Sequence, residues 1–158
     1  MKAPTRQEAE RGGRADGRTL GLDLGDRRIG VALSDPLGLA AHPLMTLARV
    51  GWSTDLKRIR DLARENEVVQ IVVGLPLGMD GTRGGRVRLT EIFMERVRAA
   101  TGLPVLPWDE RLTTVQAERA LLEGDVSRAR RRRVIDQVAA AILLQAFLDA
   151  RRAAEGGE

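Results

Sequence analysis

The segment Arg18–Ser34 restricts the possible folds of this chain more than any other. It holds two β-like runs, RTLGLDLG and IGVALSD, joined by the short polar turn GDRR. Two such runs so closely spaced read as an antiparallel hairpin. In the middle of the first run stands Asp23, with apolar neighbours on both sides. Strands disfavour Asp, and a carboxylate in a central strand costs free energy to bury unless it is paired or holds a cation. Asp23 therefore either pairs with Arg27 or Arg28 or belongs to a site. Gly25 beside it lets backbone or ligand come close.

The rest of the chain builds on that hairpin. Leu44-Met45-Thr46-Leu47 makes a short third strand. Ser53 or Thr54 caps a helix with apolar positions Leu56, Ile59, Leu62 and Ala63. Val68–Val73 is a nearly continuous apolar strand, buried on both faces. GLPLGMDGTRGG (74–85) is too rich in breakers to be anything but loop. A second helix carries Leu89, Ile92, Phe93 and Val97 and stops at Gly102. Leu103–Trp108 is a strand, a helix follows from Thr113 or Thr114 to Glu123, and one long helix spans about Arg130 to Arg151. That last helix is apolar nearly all round from Val134 to Leu148, which predicts burial. The expected class is α/β: a mixed five-stranded sheet, an antiparallel meander continued by parallel strands, with helices on both faces. Residues 1–17 read as a disordered tail, 18–152 as one domain, and 153–158 as a flexible tail. No apolar run reaches the roughly 20 residues of a membrane span. The N-terminus has no signal-peptide core, so the expectation is a cytoplasmic protein without a membrane partner.

Composition narrows the chemistry. Among 158 residues there is no Cys, no Tyr and one His. That excludes a thiolate nucleophile and a Cys/His zinc cage. With 3% aromatics, the composition also argues against a base-stacking platform. His42, in A-A-H-P-L, reads as a loop histidine without catalytic duty. Carboxylates remain. Asp136 heads the stripe Ala139, Ala140, Leu143, Phe147 of the last helix, and the small alanines let that helix approach the sheet. Its bland reading is a favourable charge near a helix start. Asp109 and Glu110 leave a strand end, where open α/β sheets bind ligands; adjacent acids there point in opposite directions. Asp23, Asp136 and one of Asp109 and Glu110 form a set of hard oxygen donors suited to Mg²⁺ or Mn²⁺. Two such ions would activate water and stabilise the leaving oxygen of a phosphodiester.

Arginines supply the binding half. Of 26 basic residues only Lys2 and Lys57 are lysine, and the net charge is +4. Arg suits bidentate phosphate contacts. The candidates are Arg27, Arg83, Arg86 and Arg111, together with Arg130, Arg132 and Arg133 from the acid-free run Ser127–Arg133. Gly25, Gly74 and Gly81 are candidate phosphate-cradling positions. The competing readings are a GC-rich genome that encodes Arg for Lys, and a solvated helix start.

Four segments in order resemble the YqgF family of Holliday-junction-resolvase-like bacterial nucleases. They are Leu22-Asp23-Leu24-Gly25 with Arg27 and Ile29–Ala32; Val72–Pro76 with Asp80-Gly81-Thr82; Asp109–Thr114; and Ile135-Asp136 with Ala139, Ala140 and Ile142–Gln145. The resemblance implies an RNase H-like fold and a metal-dependent nuclease. It also implies processing of the 5′ end of pre-16S rRNA in ribosomal precursor particles, resolution of branched DNA in repair, or both, as a monomer or dimer. By motif, Asp23 is the first-strand metal ligand, Glu110 the second and Asp136 the helix ligand. One departure stands out. The related RuvC resolvases place a Glu directly after the fourth strand, whereas this chain has no acid between Val73 and Asp80. The second carboxylate then comes from Asp109 or Glu110. Asp26, where the family often has Thr or Asn, adds charge beside the site.

Two other functions fit parts of the sequence. The hairpin D-L-G-D-R-R-I-G-V-A also suits an actin-like or sugar-kinase-like phosphotransferase, but such folds need two halves around a nucleotide cleft, and this length supplies one. The third reading is a non-catalytic, Arg-rich module that binds RNA or the ribosome.

Overall fold

The computed structural model describes residues 17–78, 84–113 and 129–156. The hairpin forms as expected: β1 (Arg18–Leu24) pairs antiparallel with β2 (Arg28–Ser34), and Asp23 lies opposite Gly30. β3 (Ala41–Ala48) adds antiparallel to β2, while β4 (Val68–Leu75) and β5 (Val105–Asp109) add in parallel on the other side of β1. The order is β3-β2-β1-β4-β5, the expected mixed five-stranded sheet. Helices α1 (Trp52–Glu65) and α2 (Gly85–Thr101) cover one face, and α3 (Ala129–Gly156) covers the other. Among the described residues no helix is long and apolar enough to cross a membrane.

Strand alternation sorts the side chains between the faces. Leu20, Leu22, Ile29, Val31, Ile71 and Val73 pack with Ile59, Leu62, Phe93 and Val97 of α1 and α2. The opposite face offers much smaller groups: Gly21 and Asp23 on β1, Gly30 and Ala32 on β2, Val72 and Gly74 on β4. Over these α3 lays Ala139, Ala140, Leu143, Leu144 and Leu148. A Cβ at Gly21 would stand 2.9 Å from Leu144 Cβ, and one at Gly30 only 2.0 Å from the carbonyl oxygen of Asp136. Small residues on both partners thus bring helix and sheet almost into backbone contact.

Several local expectations need correction. β3 is twice the expected length and includes His42, which is exposed on an edge strand rather than in a loop. Pro43 is tolerated there because an edge strand leaves one row of N–H groups unpaired, and the β2–β3 register shifts beside it. α1 begins before Ser53 and Thr54. Neither hydroxyl caps it; the buried Asp55 carboxylate instead accepts from the Val50 and Gly51 N–H groups at 3.0 and 3.3 Å. On α2, Leu89 and Ile92 are exposed, and Val87, Thr90 and Met94 join Phe93 and Val97 in burial. Gly102 does end that helix in the left-handed region, φ 71°. α3 runs to Gly156, past Arg151, since Ala153, Ala154 and Glu155 are good helix formers. Its buried side is a stripe, and Val134 is exposed. The N-terminal tail to residue 16 and nearly all of the helix expected over 113–123 lie outside the described residues.

At Gly30 the obstructing atom is backbone, so Gly30→Ala must push α3 off the sheet. Urea unfolding should show a loss of about 3 kcal/mol for that variant. Gly85→Ala, where an added Cβ meets nothing within 4 Å, should be neutral or stabilising. Equal stabilities would contradict the packing described.

Candidate metal and phosphate site

Across the α3 face, near the C-terminal end of the parallel strands, runs a row of three positions: Gly30, Asp23, Gly74. Asp23 pairs with Gly30, and Gly74 follows Val73, the partner of Leu22 on β4. Asp23 is 6% exposed, a carboxylate in the centre of the sheet. Each flanking glycine yields its side-chain space to a neighbouring segment. Above Gly30 passes the first half of α3 at Asp136, and above Gly74 lies the Glu110 carboxylate, whose Oε1 would be 2.6 Å from a Cβ. Glu110 arrives there because Asp109 ends β5 opposite Leu75 and the chain then enters a 3₁₀ turn, Glu110–Leu112.

The two acids at this strand end do different things. Asp109 accepts from the Arg111 backbone N–H at 2.9 Å and from its guanidinium at 2.7 to 3.1 Å. Those bonds, the guanidinium first, hold the Asp109 carboxyl below the usual carboxylate range. Asp109 is thereby the cap of the turn, and Glu110 is the acid that faces the row. On the other side, Arg28 Nε donates to Asp136 Oδ2 at 2.5 Å. The N-terminal turns of α3 are also fastened to β3, where Thr46 Oγ1 donates to the Arg133 carbonyl. The β1–β2 turn is held by Arg49, whose guanidinium donates to the carbonyls of Gly25 and Asp26 at 2.9 and 3.3 Å.

Beside Asp136 opens a cleft of about 380 Å³, lined by Gly25, Asp26, Arg27, Arg28, Arg86, Arg132 and Asp136. Among the described residues four guanidinium groups stand there against two carboxylates, a balance that suits anions. Of the residues expected to bind nucleic acid, Arg27, Arg86 and Arg132 meet here, from the hairpin turn, the start of α2 and the start of α3. Arg111 is exposed beside Asp109, and Arg133 is exposed on α3. Gly25 is in the cleft wall, its N–H donating to the Arg28 carbonyl at 2.8 Å. Gly74 lies within β4. Gly81, Arg83 and the Arg130 side chain lie outside the described residues.

Asp23, Glu110 and Asp136 are thus brought to one face and one end of the sheet. They are not gathered tightly: among the described residues no three acidic or histidine groups are close enough to hold a single ion. In the sequence Arg28 stands out only as a partner for Asp23, and Gly30 only as part of the family-like segment. The signal was present in the strand alternation, since positions 28, 30 and 32 of β2 share a face with Asp23.

Residues 17–150 match the family model described as "RuvX: Holliday junction resolvase". A protein of Symbiobacterium thermophilum is 57% identical over 133 residues, covering 84% of this chain and 92% of the relative. One of Myxococcus xanthus is 53% identical over 135 residues, 85% and 89% of the two chains. Both carry the name "Putative pre-16S rRNA nuclease". Among solved structures, T. thermophilus RuvC in complex with Holliday junction substrate superposes with a TM-score of 0.58 at 16% identity, over 86% of this chain and 96% of that one. The yeast mitochondrial Holliday junction resolvase Ydc2 gives 0.57 at 10% identity, over 96% and 85%. At those identities the likeness establishes the fold, which is RNase H-like as expected. The family match and the curated relatives agree with the resemblance carried by the four sequence motifs: the chain belongs to the RuvX family.

Proposed function

We propose that this chain is a metal-dependent nuclease that hydrolyses phosphodiester bonds in nucleic acid, with pre-16S rRNA as its substrate. Asp23, Glu110 and Asp136 are its metal ligands. The observation that carries this reading is the Gly30–Asp23–Gly74 row. Two glycines flank a buried aspartate: over Gly74 lies the Glu110 carboxylate, and over Gly30 passes the α3 backbone at Asp136. A carboxylate in the centre of a sheet is costly to bury, and a divalent cation with further carboxylates at hand offsets that cost. The donor set is all oxygen, which fits Mg²⁺ or Mn²⁺ and not a thiol- or imidazole-seeking metal.

When bound, a pair of such ions supplies a water nucleophile at neutral pH and neutralises charge on the leaving oxygen. The chain's own residues do the rest. Asp23 stands in β1, between the positions over which Glu110 and the Asp136 turn of α3 lie. Glu110 reaches over Gly74 from a turn that the Asp109–Arg111 pair keeps closed. Arg27, Arg86 and Arg132 bind backbone phosphates and align the strand along the cleft. On this reading the protein acts in the cytoplasm, on rRNA precursor free or in precursor particles. The relatives' shared name supports RNA; the family description supports branched DNA as the second substrate.

Cleavage assays with Mn²⁺ on an rRNA precursor, linear RNA and a four-way junction test this directly. Wild type should cut the precursor, and Asp23→Asn should fall to background while keeping its melting transition. Undiminished cleavage by Asp23→Asn would remove Asp23 from the site. Gly74→Ala makes a separate demand. Its Cβ meets the Glu110 carboxylate at 2.6 Å and Leu143 Cδ2 at 3.2 Å; both are side-chain ends, so the fold should tolerate it once Leu143 gives by a few tenths of an ångström, but Glu110 must move. Mn²⁺ affinity should drop about 10-fold, with little change in unfolding midpoint; unchanged affinity would separate Glu110 from the metal.

A further inference from the structure

Arg28 is a basic residue set among the acids of the proposed site. It begins β2 on the face shared with Gly30 and Ala32, and it lines the cleft with Arg27, Arg86 and Arg132. Its Nε donates to Asp136 Oδ2 at 2.5 Å, with the two side chains 29% and 15% exposed. A pair this shielded is less screened than one on the open surface. β2 lies on one side of Asp23, and Glu110, above β4, lies on the other. Arg28 thus holds Asp136 on the β2 side, away from Glu110.

A guanidinium and a divalent cation on one carboxylate are competitors. Both use its oxygen lone pairs, and their like charges repel. We propose that Arg28 gates metal loading: it holds Asp136 as a counter-cation, and a divalent ion engages Asp136 only by displacing it. This rests on the reading of Asp136 as a metal ligand. Arg28 is a positioning residue, acting through Asp136. The simplest alternative is that Arg28 orients one carboxylate oxygen so that the other can bind metal, the usual outer-shell role; it predicts the opposite sign.

Calorimetric titration of the full chain with Mn²⁺ separates these. Arg28→Gln should bind Mn²⁺ about tenfold more tightly than wild type, as expected when a nearby positive charge is removed. Lys57→Gln, the same charge change on α1 across the sheet, should bind as wild type does. Arg28→Lys keeps the charge without the planar fork; it should fall between wild type and Arg28→Gln, and it serves if the Gln variant does not fold. In an Asp136→Asn background only the through-space repulsion is left to remove, so Arg28→Gln should tighten binding far less than tenfold. Unchanged or weaker binding by Arg28→Gln overturns the gate, as does equal tightening in the Asp136→Asn background. Asp23→Asn tests the underlying site separately: if it binds Mn²⁺ like wild type, the metal-site reading fails whatever Arg28 does. If it binds weakly and Arg28→Gln does not tighten, only the gate fails.

Discussion

The near-contact of α3 with β2 at Gly30 sets the geometry of the whole site. A helix normally stands off a sheet by the depth of two layers of side chains. Here the Asp136 carbonyl lies where a Cβ at position 30 would be. That approach depends on small residues on both sides: Gly21, Gly30 and Ala32 on the sheet, Ala139 and Ala140 on the helix. It brings the α3 backbone at Asp136 down onto β2, beside Asp23. Leu143 and Leu144, packed against Gly74 and Gly21, then fix the rotation of the helix about its axis. The apolar packing of the lower half of α3 thereby determines where the polar upper half points.

Charge is arranged with the same economy. Acids occupy the sheet end, arginines the rim, and the two sets meet at the Arg28–Asp136 pair. Arginine rather than lysine matters at such a boundary. It stays charged, and its planar fork serves a carboxylate or a phosphate equally well. Asp109 and Arg111 show the purely structural version of that pairing, closing a turn so that the neighbouring Glu110 is presented. A cleft with four arginines beside a row of carboxylates suits a polymer with charge on every residue better than a small neutral substrate.

Much of this was legible in the sequence, for definite reasons. The sheet followed from strand-like runs whose patterns differ, alternating or Gly-containing in the meander and continuous in β4. Asp23 was visible because an acid between leucines has no routine explanation. Other features were hidden because they depend on contacts between distant segments. Nothing local distinguishes Asp109 from Glu110; only the register of β5 on β4 assigns one to the turn and the other to Gly74. Ser53 and Thr54 look like better caps than Gly51, yet the buried Asp55 carboxylate reaches back to bond the entering backbone. Leu89 and Ile92 fit a helical period, but the buried stripe of α2 runs through Val87, Thr90 and Met94 instead. Gly30 reads as a weak point in a strand until the helix above it is seen.

The most direct measurement is an anomalous diffraction map from crystals of the wild-type protein soaked in Mn²⁺. If the glycine-flanked aspartate is the centre of a metal site, the strongest manganese peak lies over the Gly30–Asp23–Gly74 row, with oxygens of Asp23 and of Glu110 or Asp136 within bonding distance. A map with manganese bound elsewhere, and nothing over that row, would contradict it.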